Sequence, residues 1–528
     1  MSENKLKHLP LGIQTFRKII EADNIYVDKT KDIYNLLESN QSNFLFLSRP
    51  RRFGKSLLIS TLEEIFLGNQ ELFKGLWIYD KIEWKKYPVI RIDFTAMVYT
   101  DGIVGFKKSL DNTISYFAEK FDIKLKNENY KEAFKELLEK LAKKDKVVIL
   151  IDEYDKPIVE FIENAEIRNI MKDIIKDFYL VLKESDQHIK FAFLTGVSKF
   201  SKISVFSGLN NLRDITLEKK FSTMLGYTES ELFSYFKEHI KATAKELKVT
   251  QKYFKDTLKS WYNGYSWDGI NFVYNPFSIL NVLTVQQINN YWFKSGTPTF
   301  LLKLIKEKQI DVEALENIEM SNESLDSFEI EDIDVESLLF QTGYLTIKKI
   351  EEKHLGYQKY FLNYPNLEVK DSFLSNILKS FSNSKKDSKI LVGDLLDCIE
   401  QNNLEEFFKI LKNIFTHIPA EIFMADREAY YHTIIYLILT LLGVRISVEV
   451  HTNKGRIDAV IQTETHVYIF EFKMSNTKQA IKQIESKKYY ESYLLSNKNI
   501  ILVGVSFDMQ ERNINEYVIK QLDLKEND

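Results

Sequence analysis

A chain of 528 residues with net charge −4 is too long for one ordinary core and too nearly neutral to be a polycation. Roughly two to four domains are expected, and any nucleic-acid surface must be a local patch. Hydrophobic residues at 44% and charged residues at 28% give the balance of a soluble globular protein, and one cysteine, Cys398, excludes an internal disulfide framework and a cysteine-based zinc cluster.

The opening segment MSENKLKHLP lacks the apolar core of a signal peptide. The most apolar helical stretch, Ile434–Val444, falls well short of the roughly 20 residues that cross a bilayer. A cytoplasmic, reducing compartment and no membrane partner are therefore expected.

The first strong element is the apolar run Phe44–Leu47, which leads through RPRRFGKSLL into a helical pattern, Leu57–Phe66. Read backwards from Gly54, Lys55 and Ser56, this segment fits the phosphate-loop template Gly-x-x-x-x-Gly-Lys-[Ser/Thr], with Arg49 standing at the first glycine. The candidate nucleotide-binding residues are Arg49, Pro50, Arg51, Arg52, Phe53, Gly54, Lys55, Ser56 and Leu57. Backbone N–H groups would turn inward to phosphate oxygens, Lys55 would reach the β and γ phosphates, and Ser56 would hold Mg²⁺. A Cβ at Arg49 must be tolerated by the turn. The bland reading is a basic surface loop.

Further along, PVIRIDF (Pro88–Phe94), KVVILID (Lys146–Asp152) and KFAFLT (Lys190–Thr195) are short apolar runs separated by amphipathic helices such as Asn129–Ala142. That is the βαβ rhythm of a parallel sheet. A carboxylate at the C-terminal end of such a strand faces the crevice that holds ligands. Asp152 would bind Mg²⁺, Glu153 would orient or activate the attacking water, and Asp155 is a reserve carboxylate. Thr195 and Ser198 are candidates for sensing the γ-phosphate, or are plain strand-end caps.

RPRRFGKSLL, ILIDEYDKPI, LTGVSKFSK and LPLGIQTFRKIIEADNIYVDKT together resemble the AAA-ATPase-like family of bacteria and archaea. The likeness extends over about the first two thirds of the chain, through YNPFSILN, NYWFKSGTPTFL and NYPNLEVKDSF. That family is similar in having arginine at the first loop position. The resemblance implies ATP binding and hydrolysis.

After Leu217 the texture changes. Glu229–Leu247 is helical, and WYNGYSW (Trp261–Trp267) is an aromatic cluster, read as core packing before a base-stacking platform. Asp311–Ser337 is strongly acidic and reads as a linker or solvated face. A short helix and the β-rich runs Tyr344–Ile350 and Tyr357–Asn363 suggest a winged-helix-like module. Helical sequence, Val369–Phe415, leads to the last domain. The expected domains are a P-loop ATPase (1–217), a helical lid (218–310), an acidic linker with the winged-helix-like module (311–368), a helical connector (369–418) and a nuclease-like domain (419–528). The expected fold class is α/β multidomain: a P-loop parallel-sheet ATPase domain, a helical and winged-helix-like middle, and a C-terminal restriction-endonuclease-like α/β domain.

In that last domain, Arg456–Thr463 and Val467–Met474 alternate as two strands, with Glu464, Thr465 and His466 as their turn. Folding the hairpin brings Asp458 opposite Glu471 or its neighbour, with Lys473 on the same face as Glu471. Two carboxylates at one spot repel unless a cation joins them, and oxygen-only ligands favour Mg²⁺ or Mn²⁺. The bland reading is a cross-strand ion pair.

The segment resembles the PD-(D/E)XK nuclease superfamily, and more closely the nuclease domain that follows AAA-ATPase-like domains. In that likeness Asp458 and the pair Glu471 and Lys473 match the central motif, Glu428 the early acid and Gln483 the helical glutamine, followed by Lys487 and Tyr489. It implies metal-dependent hydrolysis of a phosphodiester, with Asp458 and Glu471 as metal ligands. Glu449 is a secondary candidate beside Asp458, and His432 reads as helix packing. Lys478, Lys482, Lys487 and Lys488 form either a phosphate-binding patch or a solvated helix face.

The expected cofactors are ATP and Mg²⁺, with Mn²⁺ an alternative at the nuclease site. The expected partners are nucleic acid, DNA before RNA, and an open question of homo-oligomers. Two functions are carried: a nuclease under nucleotide control, or a switch ATPase whose last domain only binds nucleic acid or a partner. Arg213 is a weak candidate for an arginine finger.

Overall fold

The computed structural model describes residues 6–38, 42–199, 211–292, 299–308, 310, 312–326, 334–382, 387–416, 427–444, 447–453, 456–473, 476–508 and 511–522. The chain divides into two compact units: Met1–Phe300 with Leu315–Glu368, and Leu301–Ala314 with Val369–Asp528. None of the described helices is long and apolar enough to cross a membrane.

The first unit is built on a five-stranded parallel sheet. Its strands are β1 (Phe44–Ser48), β2 (Val89–Asp93), β3 (Val147–Asp152), β4 (Ile189–Gly196) and β5 (Arg213–Asp214), in the order β2-β3-β4-β1-β5. Both β1 and β3 are buried along their whole length, which is why they read as unbroken apolar runs. β4 separates them, so their C-terminal ends open on the same crevice about 10 Å apart. The register sets Asp93 beside Asp152, and Ser48 beside Gly196.

Helices of the middle region follow. Glu229–Tyr235 begins with a capping box, in which the Thr228 hydroxyl accepts from the Glu231 N–H and the Glu231 carboxylate accepts from the Thr228 N–H. With Lys237–Glu246, Gln251–Tyr262 and Pro276–Val285 it buries a core that includes Phe236, Ile240, Phe254, Leu258 and Ile279. A three-stranded antiparallel sheet comes next: β6 (Ile318–Ser321), β7 (Thr346–His354) and β8 (Tyr357–Asn363), in the order β6-β8-β7. The helix Val335–Thr342 precedes the β7–β8 hairpin. Within the acidic stretch, read as a linker or a solvated face, lie β6 and the helix Asn322–Asp326. Residues 311 and 327–333 of that stretch lie outside the described ones.

The second unit is a mixed five-stranded sheet: β9 (Ser447–Asn453), β10 (Arg456–Gln462), β11 (His466–Lys473), β12 (Asn499–Asp508) and β13 (Asn513–Gln521), in the order β13-β12-β11-β10-β9. β11 and β12 are parallel and the other pairs antiparallel. One sheet face packs on the helix Thr477–Lys487, with Val467, Ile469, Ile481, Ile484, Ile500 and Leu502 between them. The other face meets the helices Ser388–Glu400 and Leu404–Thr416. There Phe408 stacks on Tyr517 at 4.0 Å and the Tyr468 hydroxyl donates to the Ile399 carbonyl. These two helices lie in the stretch read as a connector, yet their apolar faces close the back of this sheet.

Candidate functional sites

The first site grows from the turn after β1. Arg52 and Gly54 adopt left-handed backbone, φ 69° and 93°, whereas Arg49 does not. The first loop position therefore makes no conformational demand for glycine, and a Cβ is accommodated there. Gly54 is different. It caps the helix Lys55–Phe66, and a Cβ built on it meets no atom within 4 Å. The space beside it at the helix N-terminus is open, and N–H groups and the helix dipole there favour an anion.

Lys55 is buried. Its Nζ donates to the carbonyls of Arg49 (3.1 Å) and Pro50 (3.3 Å) and lies 3.4 Å from Glu153 Oε1. The Ser56 hydroxyl lies near the Asp152 carboxylate and favours its charged form. Asp152 is almost completely buried, and that burial raises its carboxyl above the usual range, with the charge of Glu153 adding to the shift and Ser56 and Lys55 opposing it. Asp93 adds to the same rise. Sequence reading passed over Asp93, although it ends β2 as Asp152 ends β3. Glu153 itself has φ 50°, a strained turn directly after the strand.

Three other candidates have their side chains engaged elsewhere. The Thr195 hydroxyl donates to the Leu47 carbonyl at 2.7 Å, tying β4 to β1. Asp155 accepts from the N–H groups of Val197 and Ser198, so it fastens the segment after β4; its burial raises its carboxyl as well. Arg213 forms a two-pronged pair with Glu218, at 2.8 and 2.7 Å, an internal use of its guanidinium.

Arg49 is fully buried. Its guanidinium donates to the carbonyls of Ser48, Thr216 and Phe221 and lies 3.9 Å from the centre of the Trp267 ring. Phe53 packs edge-on against Tyr265 and Trp267. Exposed Arg52 sits over Phe277. Trp292 Nε1 donates to the Arg51 carbonyl at 3.1 Å. The WYNGYSW cluster thus packs on the phosphate loop itself.

The second site lies on β10 and β11. Asp458 is paired directly with Glu471, and the hairpin turns at Thr463–Thr465 because His466 already belongs to β11. Glu471 is fully buried, and Lys473 Nζ lies 2.5 Å from its Oε1. The register on the far side of β10 sets His451 opposite Asp458 and Glu449 opposite Val460. Glu449 is therefore displaced by two residue pairs from the place expected for it, and no periodicity in the sequence marks His451. Glu428 lies on the helix Arg427–Gly443; its side chain and those of Asp458, His432, Glu449 and His451 fall outside the described residues, as do Gly455 and Met474. Gln483 lies on the covering helix Thr477–Lys487, with Nε2 buried and without a hydrogen-bond partner among the described residues. Lys478, Lys482, Lys487 and Lys488 are all exposed.

Both sites fit a hard cation. Ser56 and Asp152 offer a hydroxyl and a carboxylate side by side, and Glu471 is an oxygen donor paired in register with a second carboxyl residue.

Two family models match the chain: a predicted AAA-ATPase over residues 10–206 and the PD-(D/E)XK nuclease superfamily over residues 426–517. An uncharacterized protein in the vnfD 5′ region of Azotobacter chroococcum mcd 1 is 38% identical over 528 residues, spanning 98% of this chain and 99% of the relative.

Proposed function

The chain belongs to the AAA-ATPase-like family with a C-terminal PD-(D/E)XK nuclease superfamily domain, and on that premise we propose that it binds and hydrolyses ATP and cuts nucleic acid, DNA first, under nucleotide control. The observation that supports the nucleotide half is the meeting of two distant segments: Ser56 on Asp152 and Lys55 on Glu153. For the nuclease half it is the buried Glu471, in register with Asp458 and paired with Lys473.

At the first site, the open space beside Gly54 and the helix N-terminus receive phosphate oxygens. Lys55 leaves the loop carbonyls for the β and γ phosphates, and Ser56 and Asp152 hold Mg²⁺. Glu153, released from Lys55, orients the water. Thr195 acts through the β1–β4 tie rather than by direct contact.

At the second site, Asp458 and Glu471 hold Mg²⁺ or Mn²⁺, which when bound supplies positive charge against the scissile phosphate. Lys473 balances charge as it builds on the phosphate oxygens. Gln483 donates from the covering helix, and Glu428 supplies the early acid of the family pattern.

The test measures each half separately. ATP hydrolysis is followed for wild type and Lys55→Ala. Cutting of plasmid and single-stranded DNA is followed for wild type and Lys473→Ala, with EDTA, Mg²⁺ or Mn²⁺. Hydrolysis lost in Lys55→Ala and metal-dependent cutting lost in Lys473→Ala are expected. Intact hydrolysis with no cutting under any metal would replace the nuclease by a switch ATPase with a binding module.

A further inference from the structure

We propose that Arg49 is a positioning residue: it makes the shape of the phosphate loop depend on the aromatic clamp of the middle region. The proposal rests on the reading that this loop binds ATP.

Burial drives the Arg49 guanidinium down to about 9, while the carboxylates of Asp214 and Asp268 pull it back up. The group is therefore charged at neutral pH and must be stabilised where it lies. Backbone carbonyls supply part of this, with Thr216 at 2.9 Å and Phe221 at 3.1 Å. The face of Trp267 adds a desolvated cation–π contact.

These partners come from two places. Thr216 and Phe221 follow β5, and Trp267 stands in the turn after the helix Gln251–Tyr262. One side chain of the loop thus joins the sheet edge to the middle region. Neighbouring contacts run the same way. Gly343, at the C-terminus of the helix Val335–Thr342, packs so closely that a Cβ on it would lie 2.7 Å from the Pro50 ring. The Gln341 side chain accepts from the Lys199 N–H at 2.6 Å, just past β4.

Lys55 shows what this strut does for binding. Its Nζ rests on the carbonyls of Arg49 and Pro50. Those carbonyls stand where they do because the Arg49 side chain and the Pro50 ring are held from outside the loop. A glycine at position 49 would free them, and Lys55 would lose its fixed starting place. The arginine that breaks the phosphate-loop template thus takes over, by anchoring, the shaping that a glycine turn performs elsewhere.

The experiment compares steady-state ATP hydrolysis and Mg-ATP affinity for wild type, Lys55→Ala, Arg49→Gly, Arg49→Lys, Trp267→Ala, Trp267→Phe and the Arg49→Gly/Trp267→Ala double variant, with the melting temperature of each. The expected result is KM for ATP raised by about tenfold or more in Arg49→Gly with kcat within about threefold, a similar change in Trp267→Ala, and no further change in the double variant. Trp267→Phe, which keeps an aromatic face, should recover most of the affinity. Arg49→Lys, charged but without the planar fork, should fall between. If Arg49→Gly melts below the assay temperature, Arg49→Lys and Trp267→Phe carry the comparison. A merely structural arginine would lower the melting temperature and leave KM unchanged, overturning the proposal. So would Arg49→Gly binding as tightly as wild type. Wild type that binds no Mg-ATP would instead remove the nucleotide reading itself.

Discussion

Lys55 is held in place before any ligand arrives, by two loop carbonyls and Glu153. Replacing it with alanine removes that cation. Lys55→Ala should therefore weaken Mg-ATP binding by at least about tenfold in a chain that still folds, as titration calorimetry and thermal unfolding would show. Asp152 gives the site a pH dependence. Burial raises its carboxyl, so it takes a proton at a higher pH than an ordinary carboxylate, and only the ionised form holds a cation. Mg-ATP affinity should fall as pH is lowered from 7 toward 4, starting above the usual range near 4, and Asp152→Asn should bind weakly with a flattened profile. At this scale the motif residues were readable because their types and spacing are chemical. The partners of Arg49 were not, since Thr216, Phe221 and Trp267 lie far along the chain and only the tertiary fold brings them to it.

The elements are held by contacts between strands and covering helices. In the second unit, the helix Thr477–Lys487 rests on β12 at Gly504, where a Cβ would lie 2.9 Å from the Thr477 carbonyl oxygen and 3.0 Å from Ile481 Cγ1. Gly504→Ala should push the helix away and cost about 1–3 kcal/mol, read from urea unfolding. The same helix carries Gln483, so cutting should also fall at temperatures where the variant is fully folded. Alternation in the sequence was enough to find β10 and β11, and the pairing of Asp458 with Glu471 follows from a hairpin whose turn sits one residue earlier than expected. The helices Ser388–Glu400 and Leu404–Thr416 read as a connector because an amphipathic pattern tells which face is apolar and not what covers it. Here the cover is the sheet face that carries Tyr468 and Phe470, the latter packed on Phe407.

At the scale of the whole molecule, one chain carries an ATPase-like domain and a nuclease-superfamily domain on two sheets of different kind. A parallel sheet gathers phosphate loop and carboxylates at one edge, and a mixed sheet places Glu471 and Lys473 beneath a covering helix. Each half has its own lysine, which allows the halves to be disabled one at a time. Lys473→Ala should lower DNA cutting by about 10²–10³ while leaving ATP hydrolysis in place. Neither lysine alone tests whether one half controls the other. The direct measurement is the rate of plasmid cutting by the full chain in Mg²⁺ with and without ATP, set against Lys55→Ala under the same two conditions. The expected result is a wild-type rate that changes with ATP and a Lys55→Ala rate that does not. A wild-type rate indifferent to ATP, in a preparation that hydrolyses it, would contradict nucleotide control and leave two independent enzymes on one chain.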